Sequence, residues 1–165
     1  MMLYEDVFRK LETTGIRYLV VGGIAVNLYG YARLTVDLDL MLDLSQDNLL
    51  KVVHAMEALG YVPRAPVNAR DLASDEKRKS WVKEKGALVF TFIDPKVPFR
   101  QIDIFLENPV DFEQAYKRRK QFELKNIQVP AVSIDDLIQM KSGAARPRDQ
   151  EDIQHLREIK EQRGL

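Results

Sequence analysis

The sequence predicts an α/β (α+β) chain: a small mixed β-sheet, helices packed mainly on one side of it, and a pair of C-terminal helices closing over it. Three observations carry that prediction. Residues 36–43 alternate strictly, with Val36, Leu38, Leu40 and Leu42 facing one way and Asp37, Asp39, Met41 and Asp43 the other, the period of a half-buried strand. Elsewhere apolar residues recur at helical spacing, as Leu3, Val7, Phe8 and Leu11 do, and as Leu49, Leu50, Val53 and Met56 do after the capping residue Ser45. Strand-like runs and helical stripes then alternate along the chain, with no internal repeat and no low-complexity stretch.

Taken in order, the first helix covers 3–12 and stops at Gly15. Tyr18–Val21 is a short strand that runs directly into Gly22-Gly23 and a helix ending at Gly30. The alternating strand follows from Val36, then a helix closed by Gly60. Residues 63–85 are punctuated by proline and then highly charged. They read as an insertion or lid carrying a surface helix, Ala73–Lys85, anchored by Trp81 and Val82. Leu88–Ile93 and Gln101–Leu106 form two strands joined by the loop DPKVPFR, and Asn108-Pro109 supplies an N-cap and first-turn proline for a helix through Tyr116. Gln121–Leu124 and Ile127–Val129 pair as a hairpin turned at Lys125-Asn126. Ser133-Ile-Asp-Asp136 begins one C-terminal helix and Pro147 the next.

At 165 residues and 45% hydrophobic, the chain suffices for one domain spanning 1–165, with 133–165 as its C-terminal helices. Lys plus Arg and Asp plus Glu balance at 25 each, so any anionic ligand must be caught by a local site rather than by an overall field. Cysteine is absent, which removes disulfides, thiolate catalysis and cysteine-held zinc or iron–sulfur centres. The N-terminal stretch carries charges throughout and lacks a signal-peptide core, and the apolar run Tyr18–Val26 is broken by two glycines. The expectation is a cytoplasmic protein with no membrane partner.

The chemistry concentrates in a few residues. Asp37 and Asp39 lie two apart on one strand and therefore point the same way, two anions that repel unless a cation sits between them. A hard ion such as magnesium, with manganese as the alternative, suits one or two carboxylates plus phosphate and water. The bland alternative is a pair of solvated aspartates on an edge strand. Asp103, between Ile102 and Ile104, offers a third carboxylate from a second strand, where aspartate is disfavoured. Upstream, Gly22-Gly23 permits close backbone approach, and the helix that follows aims free N–H groups at an anion. Arg33 and Thr35, just before the carboxylate strand, are within reach of phosphate or ribose, though Arg33 also fits a surface charge. Lys141 falls on the inward stripe of its helix and needs an anion, either a nucleotide phosphate or Asp149 or Asp152. The basic runs 117–120 and 77–79 suit a polynucleotide acceptor or, more simply, a solvated face.

The stretch VVGGIAVNLYGYARLTVDLDLML, with QIDIF later, resembles the nucleotidyltransferase superfamily of DNA polymerase β type: a Gly-Gly or Gly-Ser turn, a [DE]h[DE] strand and a later h[DE]h strand. The run G-x-x-R-x-T-x-D-h-D from Gly30 to Asp39 is similar to small bacterial AbiEii-like toxin nucleotidyltransferases, and the similarity reaches the C-terminal LIQMKSGAARPRDQEDIQHL. Residues 63–85 are covered least. The resemblance implies that Gly22 and Gly23 hold the triphosphate of an NTP, that Asp37 and Asp39 bind metal, and that Asp103 completes the metal site and serves the nucleophile. Arg33, Thr35 and Lys141 join the nucleotide site. Gly23 stands where many relatives have serine, so backbone donors replace a hydroxyl there.

The function so implied is magnesium-dependent transfer of an NMP from an NTP to an acceptor hydroxyl on an RNA end, a protein or a small molecule, with a toxin or antitoxin partner as a further implication. A catalytically degenerate member that binds nucleotide or protein is the alternative from another class. A metal-dependent nuclease would call for a lysine after Asp103, and none follows it.

Overall fold

A computed structural model describes residues 3–144 and 146–165. Its elements run α1 (Glu5–Thr14), β1 (Tyr18–Val21), α2 (Gly22–Tyr29), β2 (Leu38–Leu42), α3 (Gln46–Ala58) and β3 (Val62–Pro63). A 3-10 turn (Ala69–Ala73) and α4 (Asp75–Lys85) follow. Then come β4 (Val89–Ile93), β5 (Gln101–Phe105), α5 (Phe112–Lys117), β6 (Lys120–Leu124), β7 (Ile127–Ala131), α6 (Ile134–Ala144) and α7 (Pro147–Arg163).

The seven described strands make one mixed sheet in the order β3-β4-β5-β2-β1-β7-β6. β2 lies parallel to β5 and antiparallel to β1, and β1 lies parallel to β7. Residues paired in register share a side of the sheet. One side therefore carries Leu38, Leu40, Ile102, Ile104, Phe90 and Phe92, all buried and part of the core that α1 and α3 complete with Phe8, Leu11, Leu49 and Val53. The opposite side carries a row of different character, Val21, Asp39, Asp103 and Thr91, drawn from four neighbouring strands.

The predicted elements are present, with local differences that have physical causes. The carboxylate strand begins at Leu38 rather than Val36. Val36 is 41% exposed and its carbonyl accepts from the buried Tyr4 hydroxyl instead of from a neighbouring strand. The helix expected from Asn108-Pro109 begins at Phe112. The Asn108 amide is taken by the Leu42 carbonyl at 2.9 Å, and Asp111 caps instead, accepting from the Gln114 N–H at 2.9 Å. The segment after Gly60 is more than a surface helix. It adds an edge strand to the sheet, turns through Ala69–Ala73, and caps α4 with Ser74. The hairpin turn is confirmed, with Lys125 and Asn126 both at positive φ, as a two-residue turn of that hand requires.

The arginines of both basic runs are bound into the structure, while Lys77, Lys79, Lys117 and Lys120 are exposed. Arg118 holds Asp136 through two bonds of 3.1 Å, and Arg119 lies 4.0 Å over the Tyr116 ring. Arg78 is buried and donates to the Leu72 carbonyl at 2.7 Å. These contacts, with the lysines in solvent, favour a solvated and internally paired face over a polynucleotide one.

Candidate active site

β1 ends directly in α2, whose first two residues are the glycine pair. Gly22 has φ +68°, a conformation costly for any residue with a side chain. A Cβ on it would lie 2.1 Å from the Asp39 Oδ2. The glycine thus lets a backbone turn and a carboxylate occupy adjoining space. A Cβ on Gly23 would lie 2.6 Å from Thr35 Oγ1 and 2.9 Å from an Arg33 guanidinium nitrogen, so Thr35 and Arg33 fill the place a serine would take. Among the described residues no side chain caps α2, which leaves its first-turn N–H groups for another acceptor.

Asp39 and Asp103 are register partners on the parallel pair β2/β5, and Thr91 is the partner of Asp103 on β4. The Thr91 hydroxyl donates to Asp103 Oδ1 at 2.6 Å. Asp39 is pushed up to about 7, first by burial and then by the like charges of Asp103 and Asp37. Asp37 is raised in the same sense by burial and by Asp103, with Arg64 pulling the other way. Three carboxylates therefore feel one another across the sheet.

Among the described residues, no three His, Cys, Asp or Glu side chains close around a point as a protein-only metal cage would. An oxygen donor set with mutual repulsion, beside free N–H groups, matches a hard cation that takes one or two carboxylates and draws its other ligands from phosphate and water. The residues fit magnesium or manganese on that basis.

Two cations, Lys141 and Arg146, lie at the β1 end of the row. A cleft of about 180 Å3 is lined by Gly22, Asp39, Phe105, Lys141, Arg146 and Asp149, among others. The buried Lys141 ammonium stands 2.9 Å from Asp152 and 3.4 Å from Asp149, so carboxylates of α7 occupy it. Asp152 also receives Arg33: Nη2 donates at 3.0 Å, while Nε and Oδ1 stand 2.8 Å apart off the hydrogen-bond axis. Arg33 is thus an internal ion-pair partner rather than a surface charge. Burial disfavours the Asp149 carboxylate, but the hydrogen bond from Arg146 and the charge of Lys141 outweigh it and hold Asp149 below the ordinary range.

Asp152 is the shared anion of two cations, and its side chain is 1% exposed. Asp152→Asn would strand Arg33 and leave Lys141 to Asp149 alone, and breaking a buried pair from one side costs about 3–5 kcal/mol. Urea denaturation is expected to show a loss of that order for Asp152→Asn and a smaller one for Lys141→Met, which leaves Arg33 to satisfy Asp152.

The structure brings together Gly22, Gly23, Asp37, Asp39 and Asp103, and places Arg33, Thr35 and Lys141 at their margin. Sequence reasoning missed Thr91, Arg64 and Arg146. Thr91 and Arg64 become visible only through strand register, whereas Arg146 stands three residues before Asp149, the spacing of a helix N-terminal ion pair.

No curated protein matches the chain by sequence. Among solved structures it is similar to the lincosamide antibiotic adenylyltransferase LnuA in its lincomycin-bound form. The TM-score is 0.63 and the identity 17%, over 95% of this chain and 96% of that one. The antibiotic-resistance factor ANT(2'')-Ia follows with a TM-score of 0.59 and 12% identity, over 97% of this chain and 82% of that one. An antigenic nucleotidyltransferase-like protein from Paracoccidioides brasiliensis has a TM-score of 0.57 and 15% identity, over 93% and 71%. These likenesses establish the fold. In sequence, residues 2–161 match the family described as nucleotidyltransferase of unknown function (DUF6036). With nearly its whole length matched, and with the glycine turn and the aspartate row in place, the chain belongs to that nucleotidyltransferase family.

Proposed function

We propose that the protein transfers an NMP from an NTP to the hydroxyl of an acceptor, with magnesium or manganese as cofactor. The observation that carries this reading is the register pairing of Asp39 with Asp103 beside the Cβ-free approach at Gly22. The first-turn N–H groups of α2 receive the triphosphate, and Arg33 and Lys141 exchange their α7 carboxylates for phosphate oxygens as it enters. Asp37 and Asp39, completed by Asp103, would hold the metal, which when bound supplies positive charge to the triphosphate and to the departing pyrophosphate. The acceptor oxygen attacks the α-phosphorus, the bond from that phosphorus to the pyrophosphate oxygen breaks, and the hydroxyl proton passes to Asp103. Thr91 fixes the Asp103 carboxylate by donating to it, leaving the other oxygen free for that proton.

The solved relatives support a small-molecule acceptor: LnuA is seen with lincomycin and ANT(2'')-Ia with adenylyl-2''-tobramycin. The run from Gly30 to Asp39 supports a place near the AbiEii-like toxin enzymes, and with it a toxin or antitoxin partner. Among the described residues, no helix is long and apolar enough to cross a membrane, which accords with a cytoplasmic setting.

The test is to incubate the protein with magnesium, each labelled NTP, total RNA and a small-molecule extract, and to follow label transfer and pyrophosphate release. Wild type is expected to release pyrophosphate and the Asp37→Ala/Asp39→Ala double variant is not; equal behaviour of the two would overturn the reading. Thr91→Val is expected to lower kcat about tenfold with KM for the NTP unchanged, because it loosens only the group that takes the proton.

A further inference from the structure

The aspartate row has a second cavity at its other end. Beyond Thr91, along the outer edge of β4, a cavity of about 240 Å3 opens between the chain after β3 and the end of α4. Its walls are largely apolar, with Val67, Trp81, Val89, Phe90 and Leu106 contributing, and the Trp81 and Phe90 rings stand 5.5 Å apart between centroids. Its two charged lining residues are Arg64 and Lys85, and no carboxylate lines it among the described residues. Arg64 is tied to the site end: its N–H donates to the Thr91 carbonyl at 2.9 Å, and its charge acts on Asp37.

From this arrangement we infer that the cavity is the acceptor site, and that the acceptor is a compact, largely apolar hydroxyl compound, aromatic in part and neutral or anionic. The inference rests on the transferase reading. Thr91 lines this cavity and donates to Asp103, whereas Gly22, Asp39 and Lys141 line the cleft. The two cavities thus meet the row at its two ends, and a hydroxyl held at Thr91 would approach Asp103 from the end away from Lys141. An in-line displacement needs nucleophile and leaving group on opposite sides of the phosphorus. A ligand inside a cavity of this size is buried against aromatic and aliphatic side chains and oriented by a few polar groups. Here those groups are Thr91 and two cations, which favour a carboxylate or phosphate substituent and repel an ammonium. A polynucleotide finds no run of aromatic rings for its successive bases to stack on, and a polyamine finds no carboxylate among the lining residues.

Trp81 is the one tryptophan of the chain, so intrinsic fluorescence reports on this cavity directly. Three probes share a phenol ring and differ in charge: 4-hydroxyphenylacetate, tyrosol and tyramine. The acid and the neutral alcohol are expected to change Trp81 emission saturably, and tyramine to bind at least tenfold more weakly than the acid. Arg64→Glu/Lys85→Glu reverses that order, and Ala65→Phe, which fills the cavity from an exposed position, weakens the acid and the alcohol at least tenfold while leaving Mg-ATP binding by calorimetry unchanged. Tyramine binding as well as the acid, or Ala65→Phe leaving all three affinities intact, would overturn the inference. Mg-ATP bound with no response to any phenol sinks the acceptor site alone. Phenols bound without Mg-ATP sinks the transferase reading and the acceptor role with it, and neither bound sinks both.

Discussion

Asp39→Asn is expected to abolish transfer and, at the same time, to make the metal-free protein more stable. The two effects have one origin. Asp39 is a half-buried acid beside two others, pushed up to about 7 by burial and by Asp103 and Asp37. A group whose proton is held more tightly in the folded state stabilises that state most below its unfolded pKa, and the contribution is lost as pH rises through the folded one. Metal-free wild type should therefore lose stability between about pH 4 and pH 7 from this group, whereas Asp39→Asn should not. At pH 8 the variant is expected to be more stable by roughly 1–2 kcal/mol, allowing for the solvent that reaches the site. Thermal melts across pH, with and without magnesium, measure it: magnesium should raise the wild-type Tm and leave the variant unmoved. Pyrophosphate release should fall by at least about a thousandfold, because in the proposed reaction Asp39 would hold the metal at the reacting phosphate. A variant no more stable than wild type at pH 8 would mean that the carboxylates do not strain one another.

Gly22→Ala is the second large effect, and here activity and stability fall together. Alanine at φ +68° is strained, and its Cβ would meet the Asp39 carboxylate at 2.1 Å. The collision is with a half-buried group on a central strand, so neither side yields cheaply. A loss of about 2–4 kcal/mol is expected in urea denaturation, with kcat reduced more than about a hundredfold as Asp39 is displaced. Gly23→Ala separates conformation from space. Gly23 has no positive φ, and its Cβ would press on the side chains of Thr35 and Arg33, which can turn. That variant should lose about 1 kcal/mol. Equal losses at the two positions would remove the special role of Gly22.

How much of this was legible in the sequence depended on the range of the interaction. Alternation over 36–43 exposed Asp37 and Asp39 because side-chain period is a local property, and Asp103 stood out as an acid inside an apolar strand. The fold class followed from the same periods. Thr91 did not stand out, because nothing in TFID separates a threonine facing Asp103 from one facing solvent until β4 and β5 are placed in register. Lys141 announced that it needed an anion without saying which, and the answer lay in α7, where Asp152 serves Arg33 as well. Asn108 and Asp111 are both good caps by residue type; the carbonyl of Leu42, distant in sequence, decides between them. The cavity beside Thr91 draws on four segments from Arg64 to Leu106, so no window of sequence contains it.

The parallel pairing of β2 with β5 has a consequence for how such a protein can change. Asp39 and Asp103 are aligned by backbone hydrogen bonds between two strands, and the chain between them leaves the sheet as α3, adds β3, leaves again through α4, adds β4 and returns as β5. The length of the stretch between β3 and β4 does not enter the pairing that aligns the two acids. Outside its buried anchors Ala69, Leu72, Ala73 and Arg78, the stretch 64–87 can therefore vary in size and chemistry while the pairing of β2 with β5 is kept. Grafting this stretch between family members, with those anchors kept, tests whether it sets acceptor choice while the two acids stay in register.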